Sequence, residues 1–274
     1  MSRAGPGGTA PPQGIRLESS IEGPDNAPVL ILANPIGTTR TIWDTQVRLL
    51  RDDFRLLRFE LRGHGGPGAR SAAPPGPYSI AELGTDVLGL MREAGIAIAA
   101  YCGVSLGGMI GLWLAANAPD RISALIVCCT AITPMPSRQA WLDRAALVRS
   151  AGMAAISEMI PPRWFTPDFI ARQPGAVSAV LDMLLGTDPQ GYAGCSEAIA
   201  DLDLRPALAA IKAPTLVIAG AEDVAAPPWQ GARTALGIAD SRLTVIRGTA
   251  HLAPYQTPGP VNAGIRAHLA AATR

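Results

Sequence analysis

A single serine stands between glycine residues in an otherwise apolar run, "YCGVSLGGMIG". Ser105 is the centre of the pattern Gly-x-Ser-x-Gly, which spans residues 103–107. The run predicts a short buried strand over 99–104 and a helix that begins at Leu106, so the serine lies at the joint. Glycines permit the sharp turn that exposes a hydroxyl above the end of a strand. This context favours a serine nucleophile over a turn in which the serine only caps a helix.

A serine nucleophile needs a base that removes its proton, and three histidines are available. His64 lies in the glycine-rich stretch "LRGHGGPG", upstream of the serine, and cannot be the base in the order serine, acid, histidine. His268 lies in the terminal helix "IRAHLAAATR", where a packed or solvated histidine is expected. His251 follows the apolar run "RLTVIRG", beyond the carboxyl end of a predicted strand, where open α/β sheets gather their ligands. We therefore predict that His251 is the base.

The acid that orients this base should lie between the serine and the histidine and follow a strand. The stretch "TLVIAGAEDVAAPP" satisfies both conditions and contains Asp223. The adjacent Glu222 would point elsewhere, and Asp201 and Asp203 are not attached to a strand. We predict Asp223 as the acid, with the alternative that it only forms a turn before the prolines.

Strands that alternate with helices must position these residues. The strands are nearly continuous in apolar residues, which predicts a mostly parallel sheet covered by helices on both faces. One helix, "SIAELGTDVLGLMREAG", begins with a capping box in which Ser79 is the N-cap and Glu82 its partner. The predicted strands are 28–34, 55–61, 99–104, 122–129, 215–220 and 242–248.

The pattern changes in the middle of the chain. Residues 134–205 are rich in Met, Trp and Arg at helical spacing and contain no convincing strand. We expect a helical cap there, inserted into a core formed by residues 15–133 and 206–274. Residues 1–14, "MSRAGPGGTAPPQG", are rich in Gly and Pro and predict a disordered tail.

Length, charge and composition narrow the class of protein. A chain of 274 residues with 48% hydrophobic content can form one large α/β domain. Its formal net charge of +1 gives no electrostatic reason for binding nucleic acid or an acidic membrane. Residues 94–119 carry no charge, but their glycines and the "SLGG" step argue against a transmembrane span. The N-terminus shows no apolar export signal, so we expect a cytoplasmic location.

Four cysteines show no Cys-x-x-Cys spacing, and the first three lie in apolar runs predicted as strands. Buried reduced thiols are expected rather than disulfides or a metal site. A serine, histidine and aspartate need no metal or organic cofactor, so none is expected. The cysteines are Cys102, Cys128, Cys129 and Cys195.

Together these motifs resemble the α/β-hydrolase superfamily and, within it, the bacterial 3-oxoadipate enol-lactonases of aromatic-acid catabolism. The cap strings "RWFTP" and "GYAGC" resemble the lactonases in particular. The resemblance implies an α/β-hydrolase fold, an inserted helical cap and a cytoplasmic lactonase of the β-ketoadipate pathway. The other matching runs are "ANPIGTTRTIWD", "RFELRGHG", "YCGVSLGGMIGLWLAANAPDRISALIVCCTA", "MLLGTDPQGYAGC", "TLVIAGAEDVAAPP" and "GTAHLAPYQTP".

The resemblance also implies a role for each site residue. Ser105 corresponds to the nucleophile, Asp223 to the acid and His251 to the base. The backbone N–H groups of Ile36 and Leu106 correspond to the oxyanion hole. No metal ligand is implied.

Two positions depart from the pattern of the relatives. Asn34 and Pro35 stand where many members have His-Gly, but the donor belongs to Ile36, so the missing N–H of the proline does not remove it. Pro67 stands where relatives commonly have serine, in a loop that borders their site.

The implied reaction is attack of the serine on the carbonyl of a small lactone or ester, followed by hydrolysis of the acyl-enzyme. The triad and fold do not choose the substrate. A general esterase, a perhydrolase-like enzyme and a carbon–carbon bond hydrolase are alternatives. A ligand receptor that uses cap movement is an alternative of another class.

An enol-lactone with an acetate arm presents a carboxylate that a cap residue could bind. Arg138, Trp141 and Arg144 are spaced i, i+3 and i+6 in "PSRQAWLDRAALVRSAGM". Guanidinium groups suit a carboxylate and an indole suits a flat ring, so all three are candidates. The alternative is structural, since arginine is the usual base of this chain and a cap tryptophan often packs in a core.

Overall fold

The computed structural model describes residues 14–65 and 74–272. Residues 1–13 of the predicted tail and Pro67 lie outside the described residues. Ile15 is attached to the core, because its N–H donates to Asp86 Oδ1 at 2.8 Å.

A seven-stranded sheet forms the centre of the described structure, with the strand order β1-β3-β2-β4-β5-β6-β7. β1 pairs antiparallel with β3, and every other pairing is parallel. This confirms the α/β prediction. The short edge strand β1 was not predicted, because its sequence "SSIE" has no apolar run. The strands are β1 Ser19–Glu22, β2 Val29–Ala33, β3 Arg55–Phe59, β4 Ala99–Val104, β5 Ile122–Cys128, β6 Thr215–Gly220 and β7 Ser241–Ile246.

Helices cover both faces of the sheet, which is why its central strands are apolar along their whole length. Successive side chains of a strand point to opposite faces. On β6, Leu216 and Ile218 lie beside the C-terminal helix α11 (Pro258–Ala272), whereas Val217 and Ala219 lie beside α9 (Pro228–Gly237) on the other face. The helices are α1 Asp44–Leu50, α2 Ile80–Glu93, α3 Leu106–Asn117, α4 Arg138–Ala151, α5 Pro161–Trp164, α6 Pro167–Arg172, α7 Pro174–Leu185, α8 Pro189–Ala200, α9 Pro228–Gly237, α10 Ala253–Gln256 and α11 Pro258–Ala272.

The predicted capping box starts α2. Ser79 Oγ accepts from the Glu82 N–H at 3.2 Å, and Glu82 Oε2 accepts from the Ser79 N–H at 2.8 Å. The two residues thereby satisfy backbone donors that the first turn of a helix leaves unpaired.

Helices α4 to α8 are inserted between β5 and β6. Between Cys128 and Thr215, a stretch that is described throughout, the structure has no strand. We propose that this insertion is the cap expected over residues 134–205. It lies above the carboxyl ends of the strands, since its residues share a pocket with the residues that follow β4 and β7.

Two further features bear on the class of protein. No helix in the described residues has the length and apolarity that a membrane crossing requires. The four cysteines are free thiols, and all of them are buried.

Candidate active site

Ser105 directly follows β4 and precedes α3, in a strained backbone conformation. Its φ of 52° and ψ of −115° lie in a region that residues other than glycine rarely adopt. Hydrogen bonds to the neighbouring strand hold it there. The Ser105 N–H donates to Cys128 O at 3.0 Å, and Thr130 Oγ1 donates to Ser105 O at 2.8 Å.

The glycines on either side of the serine permit a close approach of backbones. A Cβ atom on Gly103 would lie 2.3 Å from the Gly107 carbonyl, and one on Gly107 would lie 2.4 Å from Ala33 O. A larger residue at either position would push α3 away from β4 or β2. The Gly-x-Ser-x-Gly spacing is therefore a requirement of the packing in this protein.

Asp223 and His251 form a buried pair. His251 Nδ1 lies 2.9 Å from Asp223 Oδ2. The other carboxylate oxygen, Oδ1, accepts from the N–H groups of Ala225 at 2.8 Å and Ala226 at 2.9 Å. Because both of its oxygens accept hydrogen bonds, the carboxylate is fixed. An Nδ1–H that donates to Oδ2 leaves the lone pair of the ring on Nε2.

The rejected acids lie elsewhere. Glu222 is exposed, Asp203 pairs with Arg205 at 2.8 Å, and Asp201 pairs with Arg138 at 2.8 Å. None of these carboxylates approaches the histidine.

One pocket brings the core and cap residues together. Both Ser105 and His251 line it. The segments that follow β2, β4, β5, β6 and β7 thus meet under the insertion. The cap residues that line the pocket are Met135, Trp141, Arg144, Arg163, Trp164, Tyr192 and Ile199.

A wider apolar groove lies at the opposite end of the sheet, where β2, β4 and β5 begin. Of the described residues that line it, the charged ones, Asp53 and Arg266, form an ion pair with each other. Neither Ser105 nor His251 lines this groove, so it is not where the predicted nucleophile and base meet.

Two of the three cap predictions agree with the position of the pocket, and one requires a correction. Trp141 and Arg144 line the pocket, with the Arg144 guanidinium 4.5 Å from the centre of the Trp141 ring. Arg138 does not line it, because its exposed guanidinium donates to Asp201 Oδ1 at 2.8 Å. Six helical residues turn the chain through roughly 600°, so the two arginines point about 120° apart.

Arg163 also lines the pocket, and the sequence reasoning missed it. Burial, followed by the repulsion of Arg144, lowers the pKa of Arg163. In the part of the chain that the structure describes, neither arginine forms an ion pair with an acid. A signal was available, since Arg163 is the first residue of the distinctive string "RWFTP".

Two backbone N–H groups near the serine could bind an oxyanion. Leu106 is the first residue of α3, and Ile36 lies in the turn after β2 and lines the pocket. Across residues 14–65 and 74–272, neither N–H donates to another protein group. Such unpaired donors can stabilise a developing negative charge.

The other two histidines have structural positions. His64 is fully buried; its Nε2 accepts from the Gly37 N–H at 2.9 Å, and its Nδ1 lies 2.8 Å from Arg62 O. Burial lowers the pKa of His64 to about 4. His268 lies on α11, with Nε2 3.0 Å from Pro214 O. Neither histidine lines the pocket.

Comparison with known proteins places this arrangement among related enzymes. The sequence profile described as the alpha/beta hydrolase family matches residues 30–263. The chain is 37% identical to 3-oxoadipate enol-lactonase 2 of Acinetobacter baylyi over 93% of both chains, and 33% identical to enol-lactonase 1 of that organism over 77% of both. A crystal structure of the enol-lactonase from Burkholderia xenovorans superposes with a TM-score of 0.89, at 40% identity, over 93% of this chain and 96% of that one.

Proposed function

The chain belongs to the alpha/beta hydrolase family, and from this premise we propose that it opens 3-oxoadipate enol-lactone to 3-oxoadipate. Relatives that carry this activity in their names match it over most of their length. The observation that carries the proposal is one pocket that holds Ser105, His251 and two arginines, neither of which forms an ion pair with an acid of the described chain. An ester hydrolase that acts on a carboxylated substrate needs a nucleophile with its base and a cationic group that binds the carboxylate.

Ser105 is the nucleophile, His251 the base and Asp223 the orienting acid in this proposal. His251 Nε2 takes the hydroxyl proton as the serine oxygen attacks the lactone carbonyl. The N–H groups of Ile36 and Leu106 then hold the tetrahedral oxyanion, each worth on the order of 3 kcal/mol in comparable sites.

Collapse of the tetrahedral intermediate breaks the ring carbon–oxygen bond. The leaving oxygen departs as an enolate, which is more stable than an alkoxide. Protonated His251 passes on the proton that it took from the serine, and the enolate becomes a ketone when its carbon takes up this proton, so the histidine can act as a base again. The product stays attached to Ser105 as an acyl-enzyme. His251 next takes a proton from water, the resulting hydroxide attacks the ester, and the proton returns to the serine oxygen.

The cap provides the recognition of the substrate carboxylate. Arg144 and Arg163 present two guanidinium groups to the pocket, and within the described residues neither forms an ion pair with an acid. Burial and the repulsion from Arg144 lower the pKa of Arg163, and a carboxylate between the two arginines would favour its charged form. Trp141 forms a wall for the flat ring, held in place because its Nε1–H donates to Met135 O at 2.9 Å.

A kinetic comparison tests this function. The wild-type protein is assayed on freshly generated 3-oxoadipate enol-lactone, on phenyl acetate and on a dienone-type carbon–carbon hydrolase substrate. We expect kcat/KM for the lactone to exceed that for phenyl acetate by about a hundredfold or more, since only the lactone engages the arginines. Higher turnover of the phenyl ester or of the dienone would overturn the lactone assignment.

A further inference from the structure

The turn that carries the Ile36 N–H is held by a buried threonine. Thr38 is fully buried, and its Oγ1 donates to Pro35 O at 3.0 Å. Pro35 O and the Ile36 N–H belong to the same peptide unit. A hydrogen bond to one end of this unit therefore constrains the other.

The constraint follows from the geometry of the peptide bond. The unit is planar, and in the trans form its C=O and N–H point in opposite directions. The Pro35–Ile36 bond is trans. With the carbonyl held by Thr38, the Ile36 N–H must point to the other side of the turn. Ile36 is itself a residue of the pocket lining.

The next peptide unit is held by a second buried group. The Gly37 N–H donates to His64 Nε2, and Gly37 has a φ of +74°. A Cβ atom at this position would lie 2.6 Å from Leu184 Cδ1 of the cap. Both successive peptides of the turn are thus fixed by side chains that do not line the pocket.

We propose that Thr38 is a positioning residue for the oxyanion hole: its hydroxyl fixes the Pro35–Ile36 peptide so that the Ile36 N–H is already aimed when the oxyanion forms. The inference rests on the proposed function, in which Ile36 supplies one of the two donors. A donor that is oriented in advance needs no reorganisation during the reaction, so it stabilises the transition state more than the bound substrate.

The test compares Thr38→Val, which removes the hydroxyl and preserves the shape, with Thr38→Ser, which keeps the donor. Thr234→Val is the matched control. Thr234 on α9 is also fully buried and donates to a backbone carbonyl, Gln230 O at 2.9 Å, away from the pocket. The three variants are assayed on the enol-lactone and on phenyl acetate, with Tm measured for each.

For Thr38→Val we expect kcat to fall about tenfold to a hundredfold with KM within about threefold, less than deleting an oxyanion donor outright. Affinity for an aryl boronic acid, which forms a tetrahedral adduct with the serine, should fall by a similar factor. Thr38→Ser should restore most of both losses. Thr234→Val should lower Tm without a comparable change in kcat or boronic acid affinity.

The outcomes separate this inference from the proposed function. If the wild-type protein hydrolyses phenyl acetate but not the lactone, the lactone proposal fails, and the same three variants on the ester still decide the role of Thr38. If the wild-type protein hydrolyses neither the lactone nor phenyl acetate, the variants are compared by the rate at which a fluorophosphonate labels the serine covalently, instead of by kcat. The positioning role is overturned if Thr38→Val retains kcat, or the labelling rate, within about twofold. It is also overturned if Thr38→Val and Thr234→Val lose activity equally.

Discussion

The core loops and the cap hold their pocket residues by different means. Asp223 and Ser105 are held by hydrogen bonds with groups at the end of β5 and in the loops after β5 and β6, so the backbone at this edge of the sheet sets their positions. Arg144 and Arg163 reach the pocket from helices at the ends of long side chains, and neither forms an ion pair with an acid among the described residues. We therefore propose that the core serves the chemical step and that the cap receives the ligand.

This difference predicts that substitutions in the core change kcat and that substitutions in the cap change selectivity. The largest effect is expected for Ser105→Ala, which removes the nucleophile and little packing. kcat should fall to less than about a thousandth of the wild-type value, with Tm unchanged. The measurement is turnover of the enol-lactone together with thermal unfolding. Greater residual activity would contradict a covalent mechanism.

The next largest effect is expected for the residues behind the nucleophile. Asp223→Asn presents an amide to His251 Nδ1 and favours the wrong tautomer, so kcat should fall severely, though by less than in Ser105→Ala. His251→Ala should be as severe as the serine variant within about tenfold. His268→Ala is the control, since His268 lies away from the pocket, and it should retain normal turnover. Equal losses of kcat in His251→Ala and His268→Ala would show that His251 is wrongly assigned as the base.

The stability of the folded core also depends on the protonation state of His64. In the folded protein burial lowers its pKa to about 4, whereas its ordinary value is 6.5. Between these values the unfolded chain binds a proton that the folded chain does not, so this group's contribution to stability is lost as the pH falls from 6.5 to 4. The full shift corresponds to about 3 kcal/mol in the free energy of unfolding.

The measurement is urea unfolding of the wild type and of His64→Gln from pH 7 to pH 4. The difference in free energy of unfolding between them should shrink as the pH falls, because only the wild type has the histidine. Subtraction cancels other titrating groups, such as Glu60, whose pKa burial raises to about 7. A difference that is constant with pH would show that His64 does not stay neutral in the folded state.

Much of the core site was predictable because its signals are local. Ser105, Asp223 and His251 each follow an apolar run, and parallel strands bring such positions to one edge of the sheet. The link between Gly37 and His64 was not predictable, because the two residues are 27 positions apart and only the fold joins them.

The pocket residues of the cap were harder to predict, because the sequence does not fix how a helix is rotated about its own axis. A spacing of i, i+3 and i+6 puts residues near one another on a helix, but it does not say which of them faces the pocket. Packing of α4 against α8 decides this, and it turns Arg138 toward Asp201. Arg163 was not predicted because it lies on the four-residue helix α5, which is too short to show a helical periodicity in the sequence.

The smallest effects, and the sharpest test of the comparison, come from the cap arginines. Arg144→Ala and Arg163→Ala should each weaken kcat/KM for the carboxylated lactone by about 1.5–3 kcal/mol, the scale of a hydrogen bond to a charged group. Phenyl acetate has no carboxylate, so its kcat/KM should barely change. Arg138→Ala is the matched control on the same helix as Arg144; its exposed ion pair with Asp201 contributes little, and both substrates should react normally. Equal losses on the lactone and the neutral ester would make the two arginines structural and place the carboxylate elsewhere. A selective loss in Arg138→Ala would mean that the substrate contacts the outer face of α4, and the division between a chemical core and a receiving pocket in the cap would have to be redrawn.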